Sequence, residues 1–534
     1  MQTSYSLPTG GTTWAAHTAS QLTSALNTSV PGDVIVLDAG IAYVGNFFLP
    51  AKSNPSNKWI YIISSQLASL PEGTRVSPSE AASMPKIVTP NASSAIYQKS
   101  GANYWRISGI EIYSTSTYRP GGGDPNYYGG ALVQNYDNVP AVLPDSIIFD
   151  RCYIHGDPTH DLQRGLSMNW SHAAVVDSWL SDIHAYNVEA QAVGAWWSPG
   201  PFKIVNNHLE AATENLMFGG SGGPSTPWVP SDIEIRNNHL YKPLTWAVVG
   251  VGVSPGSTMI IKDSFELKSA QRVLFDGNLV ENNWYNGQQG YAVQLTVRTG
   301  QSGDIAVVDD VTMTNNTFQN VVSGIDSLAK DDTCGIAPYT SCHNAGSQDR
   351  WYIADNLFIF FDPMLPGGLR NVGFLFSRGI DHPNGGILGN MQDVVLQHNT
   401  MVSAASTPCY VSIYFSSGQE PYPPTSHVTN NVWILDNVLC SQPNGDWGVK
   451  GTSGLDLYMA YPNISPNDVT QRYYGNVMWK QNATAYVFPT SNDVASTIGY
   501  VDPTHSNYQL ASPYWTYTSD GNLSGVNMSE VPVP

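Results

Sequence analysis

Glu214, Glu266, Lys268, Arg298 and Asp326 are the side chains of this sequence whose types and spacing best support chemistry together. In Phe265-Glu266-Leu267-Lys268-Ser269 an acid and an amine stand two positions apart, so on a β-strand they point to one face. Gln294, Thr296 and Arg298 repeat that spacing further along. A lysine on such a face can act as base, an arginine can hold a carboxylate with two parallel hydrogen bonds, and acidic residues can hold Ca²⁺. Base, charge stabiliser and proton donor are what β-elimination beside a uronate carboxylate needs. The same residues would also serve as the solvated face of an amphipathic strand.

A second set supports different chemistry. Glu214 and Glu266 can be read as the paired carboxylates of a glycoside hydrolase, with Trp196, Trp197, Trp228, Trp246 and Trp284 as platforms for sugar rings. His155, His160, His172 and His184 lie close in sequence to Asp157, Asp161 and Asp182. Of these His184 is the most interesting, since it shares a strand face with Asp182. Gln191, Trp196, Trp246, Gln294 and His184 are the candidate substrate-binding residues, and Glu214, Glu266 and Asp326 the candidate metal ligands.

These residues are positioned by a phrase that returns about ten times along the chain: alternating apolar residues, then Asn or Asp, then another apolar residue. Examples are Ile204-Val205-Asn206-Asn207-His208-Leu209, Val311-Thr312-Met313-Thr314-Asn315-Asn316 and Trp433-Ile434-Leu435-Asp436-Asn437. Alternation of period two with a turn former at one fixed point is what a coil of a parallel β-helix requires, and each coil buries its apolar face only by stacking on the next. The turn former tolerates a left-handed backbone, and its amide can bond to the equivalent residue one coil away. Asn207, Asn238, Asn278, Asn316, Asn356, Asn399 and Asn437 are expected to form one column. Registering the coils on this bend gives an approximate second column of Ser167, Gln191, Glu214, Glu266, Gln294 and Asp326, with Lys268 and Arg298 on an exposed outer face.

The stretch from Ser20 to Leu49, reading "QLTSALN…PGDVIVLDAGIAYVGNFFLP", resembles the entry of pectate-lyase-like right-handed β-helix proteins, among them the alginate lyase and chondroitinase B group. The resemblance implies an N-terminal capping helix followed by a first coil. That group pairs a lysine, with Glu upstream and Ser following, with an arginine one coil later, and holds Ca²⁺ on acidic residues. Glu266-Leu267-Lys268-Ser269 and Arg298 are the matching positions. Here the glutamate stands closer to the lysine, and the arginine somewhat later, than the group's pattern has them.

The expected architecture is thus an all-β, right-handed parallel β-helix. Residues 1–33 form an N-terminal cap, in which Thr13-Trp14-Ala15-Ala16 and Ser20 to Leu26 both show helical spacing. Residues 34–440 form the coils, and residues 441–534 irregular coils and a C-terminal cap. A formal charge of −19 and only 23 basic residues argue against nucleic acid or an anionic membrane as partner. No apolar run is long enough to cross a membrane as a helix. Five cysteines are too few for a disulfide framework, though Cys334–Cys342 and Cys409–Cys440 are conceivable pairs. A polysaccharide-degrading enzyme, monomeric and secreted or periplasmic, is expected. β-Elimination is the first reading, hydrolysis by Glu214 and Glu266 the second, and non-catalytic glycan binding the third.

Overall fold

The computed structural model describes all residues except 1, 117–129, 137–141, 186–187, 221–227, 248–258, 299–305, 330–347, 361–371, 378–390, 404–408, 410, 417–428, 441–471, 480–490, 496–497, 512–517 and 534. The chain is a right-handed parallel β-helix. It divides into two compact units, Met1–Phe218 with Gly223–Ile260, and Gly219–Gly222 with Ile261–Pro534. Each is built from three parallel sheets.

In the first unit one coil runs through the strands Ser171–Val176, Trp179–Ile183 and Gln191–Ala195. The next runs through Phe202–Val205, His208–Ala211 and Glu214–Phe218. Register stacks Val175 on Ile204, Leu180 on Leu209 and Val193 on Leu216, all wholly buried. The alternating apolar residues of the sequence thereby become an interior column on each sheet, and no single coil could bury them alone.

The second unit repeats the plan. Val273 and Phe275 pair with Val311 and Met313, and these with Trp351 and Ile353. Aromatic rings stack within it, Phe265 on Phe275 with centroids 4.6 Å apart and Phe318 on Phe358 at 4.4 Å.

The bend column exists as expected. In the first unit, Asn207 donates its backbone N–H and its Nδ2 to Oδ1 of Asn238, at 2.9 and 3.0 Å. In the second, the same paired donation runs from Asn278 through Asn316, Asn356, Asn399 and Asn437. It continues to Asn476 and Asn492, so coil stacking extends past residue 440. Ladder amides also reach a carbonyl of the preceding coil, as Asn316 Nδ2 does to Phe275 at 2.9 Å. The left-handed residue is a different one, the neighbour just before each ladder Asn: Asn206, Asn237, Asn315, Asp355, His398 and Asp436 all have φ between 52° and 58°. Two adjacent residues divide the work that the sequence reading gave to one.

At the N-terminus, Ala19–Thr28 is a helix with Leu22, Ala25 and Leu26 buried, and its Thr18 cap accepts from the Gln21 N–H at 3.2 Å. Thr13–Ala16 is not helical, contrary to its spacing. It is a strand paired with Val34–Leu37, and the Asp33 carboxylate fixes it by accepting from Thr12 N–H at 2.8 Å and Trp14 Nε1 at 2.9 Å. Strand pairing outweighs the local pattern over so short a segment. Cys409 and Cys440, in successive coils, form a disulfide, while Cys152 is free and buried. Cys334 and Cys342 lie outside the described residues. Among the described residues no helix is long and apolar enough to cross a membrane.

Candidate functional site

The second unit holds Glu266, Lys268, Gln294, Arg298 and Asp326, half of the candidate residues. In Phe265–Leu267 the aromatic and the leucine point into the core, so Glu266 and Lys268 face outward. Lys268 Nζ lies 3.2 Å from Glu266 Oε2. Glu266 pairs in register with Gln294, and Gln294 with Asp326. Gln294 Nε2 donates to Asp326 Oδ2 at 3.5 Å. The backbone N–H of Arg298 donates to the Lys268 carbonyl at 2.7 Å, which sets the arginine one coil from the lysine.

This face is less open than its sequence implies. Lys268 is only 9% exposed and Glu266 only 1%. The cover is Gly219-Gly220. Both have φ above +80° or at it, and a Cβ on Gly220 would stand 2.4 Å from Lys268 Cδ. Only a residue without a side chain fits so close to the lysine stem.

Asp263, which sequence reasoning missed, is buried three positions before Glu266, and carboxylate oxygens of the two lie within 4.8 Å of each other. That pair fits a hard divalent cation, which prefers several carboxylate oxygens. Two strand spacings, roughly 10 Å, separate the backbones of Glu266 and Asp326, with Gln294 between them. Tyr291, two positions before the core residue Val293, completes the surroundings. Burial, and then the charge of Asp326, pushes its phenol above the ordinary range.

The first unit holds the remaining candidates. Gln191 pairs in register with Glu214, both are fully buried, and Gln191 Nε2 donates to Glu214 Oε2 at 2.7 Å. The residue in line with them one coil earlier is Arg164, whereas Ser167 stands opposite Gly194. This corrects the column registered on the bend. Glu214 also has the parity of the core residues Leu216 and Phe218, whereas Glu266 has the opposite parity to Phe265 and Leu267. The cause is the variable segment between bend and second strand: Glu214 comes seven positions after Asn207, but Asp326 ten after Asn316.

The Arg164 guanidinium lies over the Trp196 ring at 4.6 Å. His184 is wholly buried, with Nε2 3.1 Å from the Asp157 carbonyl and its ring edge-on to Trp246 at 5.5 Å. Lys242 was also missed. Fully buried, it donates to the carbonyls of Ala211, Ala212 and Thr213 and so braces the turn that leads into Glu214.

No family model and no curated protein matches the sequence. Solved structures do. The PL6 family alginate lyase AlyGC is 13% identical over 98% of this chain and 59% of that chain, with a TM-score of 0.50. The chain shares the parallel β-helix fold of that structure. It spans 59% of AlyGC's length. Also similar are a mannuronic acid specific polysaccharide family 6 lyase from human gut microbiota, 12% identical over 90% of this chain and 91% of that one at TM-score 0.39, and the GH136 lacto-N-biosidase from Eubacterium ramulus, 12% identical over 67% and 63% at 0.34.

Proposed function

We propose that the protein is a polysaccharide lyase that cleaves a uronate-containing glycan by β-elimination, outside the cell or in the periplasm, as a monomer. The observation that carries this reading is Lys268 held beside Glu266, with Arg298 fixed one coil away by its bond to the Lys268 carbonyl. Two cations on successive coils of one sheet, one of them beside a buried carboxylate, are unusual in a chain of net charge −19.

In this reading Lys268 removes the proton α to the uronate carboxylate, the glycosidic C–O bond at the β carbon breaks as the C=C bond forms, and the leaving oxygen takes a proton from solvent. The Lys268 stem packs beneath Gly219-Gly220, which holds the amine at a fixed place on the sheet face. Arg298 binds the substrate carboxylate, where negative charge grows as the proton leaves. Gln294 orients a sugar hydroxyl. Asp263 and Glu266 would hold Ca²⁺, which supplies further neutralisation of the carboxylate when bound. The test is product analysis on uronate-containing and neutral glycans. An unsaturated uronide product supports elimination, saturated products with new reducing ends indicate hydrolysis, and binding without products indicates a non-catalytic β-helix.

A further inference from the structure

We propose that His398, Asp436 and Asp520 form a binding site for a divalent transition ion of the Zn²⁺ type, which fastens the C-terminal segment 518–533 to the coils of the second unit. His398 Nε2 lies 3.0 Å from Asp520 Oδ2 and 3.8 Å from Asp436 Oδ2, and the three donor atoms all fall within 4.8 Å of one another. Ligands bound tetrahedrally at 2.0–2.1 Å stand about 3.3 Å apart, which the two distances bracket. A histidine–aspartate hydrogen bond alone would not require a second carboxylate oxygen 3.8 Å from the same nitrogen.

The donors come from three places, and each is held. His398 and Asp436 occupy the left-handed corner of successive coils, as Asp355 does one coil earlier, where the chain elsewhere in this unit has Gly277, Asn315 and Gly475. Three consecutive ionisable residues at this corner depart from the Asn and Gly on either side of them. Asp436 is wholly buried and its carboxylate accepts from the Ser519 N–H at 2.9 Å, from the Ser519 hydroxyl and from Gln397 Nε2 at 3.5 Å. Asp520 accepts from the Asn522 backbone and side chain at 2.9 and 2.8 Å. Hydrogen-bonded carboxylates of this kind are what orients metal ligands.

The cleft beside the cluster is lined by Asp355 and Glu530 as well, and among the described residues no Lys or Arg lines it. Such a cleft attracts cations and leaves the outer side of the cluster open to complete a coordination shell with solvent. One imidazole with two carboxylates favours Zn²⁺ or a similar borderline ion over Ca²⁺, which takes oxygen. The same ion would join the coils to the segment that carries Asp520. That segment is otherwise attached by Gly525 N–H on the Asp436 carbonyl, by Val526 N–H on Thr400 Oγ1 and by Val526 and Val531 packed on Leu357.

The experiment titrates the full-length protein, first stripped with a chelator, with Zn²⁺ by calorimetry, and compares wild type with Asp520→Asn and His398→Gln. Asp520 is exposed and an Asn keeps the acceptor for the Asn522 backbone N–H, so that variant tests binding with little disturbance of the local turn. One equivalent of Zn²⁺ is expected in wild type, with affinity lowered at least about tenfold in Asp520→Asn. Amides of 518–533 should exchange more slowly with Zn²⁺ in wild type only. Glu266→Gln should retain the equivalent, which separates it from uptake at the lyase candidate site. No uptake, or equal uptake and equal protection in wild type and Asp520→Asn, would overturn the proposal.

Discussion

Arg298 donates its backbone N–H to the carbonyl of Lys268 at 2.7 Å, so two of the chain's few cations are held on successive coils of one sheet. Their spacing follows from β-stacking and does not depend on how either side chain is oriented. Lys268→Ala and Arg298→Ala should each lower turnover by about 10²–10⁴-fold, as loss of a proton-transfer or charge-stabilising group does. Lys268→Ala should also cost about 1–3 kcal/mol of stability, because it leaves the buried Glu266 carboxylate without its partner. Steady-state kinetics and thermal melts of both variants check this.

The Asn ladder gives a prediction about stability alone. Asn356 Oδ1 accepts two bonds from Asn316, so Asn356→Ala strands two buried donors and should cost about 2–5 kcal/mol. Asn315→Gly, at the left-handed position beside the ladder, should cost less, about 1 kcal/mol, since glycine adopts that backbone freely and only the bond from Asn315 Nδ2 to Asp276 Oδ1 at 2.9 Å is lost. Urea unfolding of the two variants makes the comparison.

Burial, and then the nearby Glu210, raises the Asp182 carboxyl above its ordinary value of 3.8, and burial raises Glu210 above 4.5. A raised carboxyl binds protons more tightly in the folded state, so its contribution favours folding at low pH and is lost as pH rises through the folded value. Glu210→Gln keeps an acceptor for the Asp182 N–H that Glu210 Oε1 now holds at 2.9 Å. It should therefore stabilise the protein at neutral pH, with an advantage that shrinks as pH falls toward 4.5. Melting temperature against pH for both proteins tests the sign.

Much of the fold was legible in the sequence, because a parallel β-helix writes its interior as alternation and its corners as Asn. Asn316 and Asn356 could be placed in one column from spacing alone. The site was harder to read. Glu266 and Lys268 could be assigned to one face, since two residues on one strand have fixed parity. Gln191 could not be aligned correctly, because the turn between bend and second strand varies in length, and Arg164 rather than Ser167 is its partner. Asp263 and Lys242 carry no local signature; they matter through the coil stacked on them. The cover over Lys268 comes from Gly219-Gly220, almost fifty residues away in sequence, and only the close approach shows why glycine stands there.

If Asp263 and Glu266 hold Ca²⁺, chelation should silence turnover and added Ca²⁺ should restore it. Glu266→Gln should weaken the restoration, because an amide lacks the charge a hard cation prefers. Activity assays across a Ca²⁺ titration for the two proteins would show it.

The most direct measurement of the central claim is the chemistry of the product released from a uronate-containing glycan by wild-type protein and by Lys268→Ala. The lyase account predicts unsaturated uronide ends, seen by ultraviolet absorbance and a mass lower by one water than the hydrolysis product, with wild type and their near absence with Lys268→Ala. Saturated products, or unsaturated ends made equally well by Lys268→Ala, would contradict it.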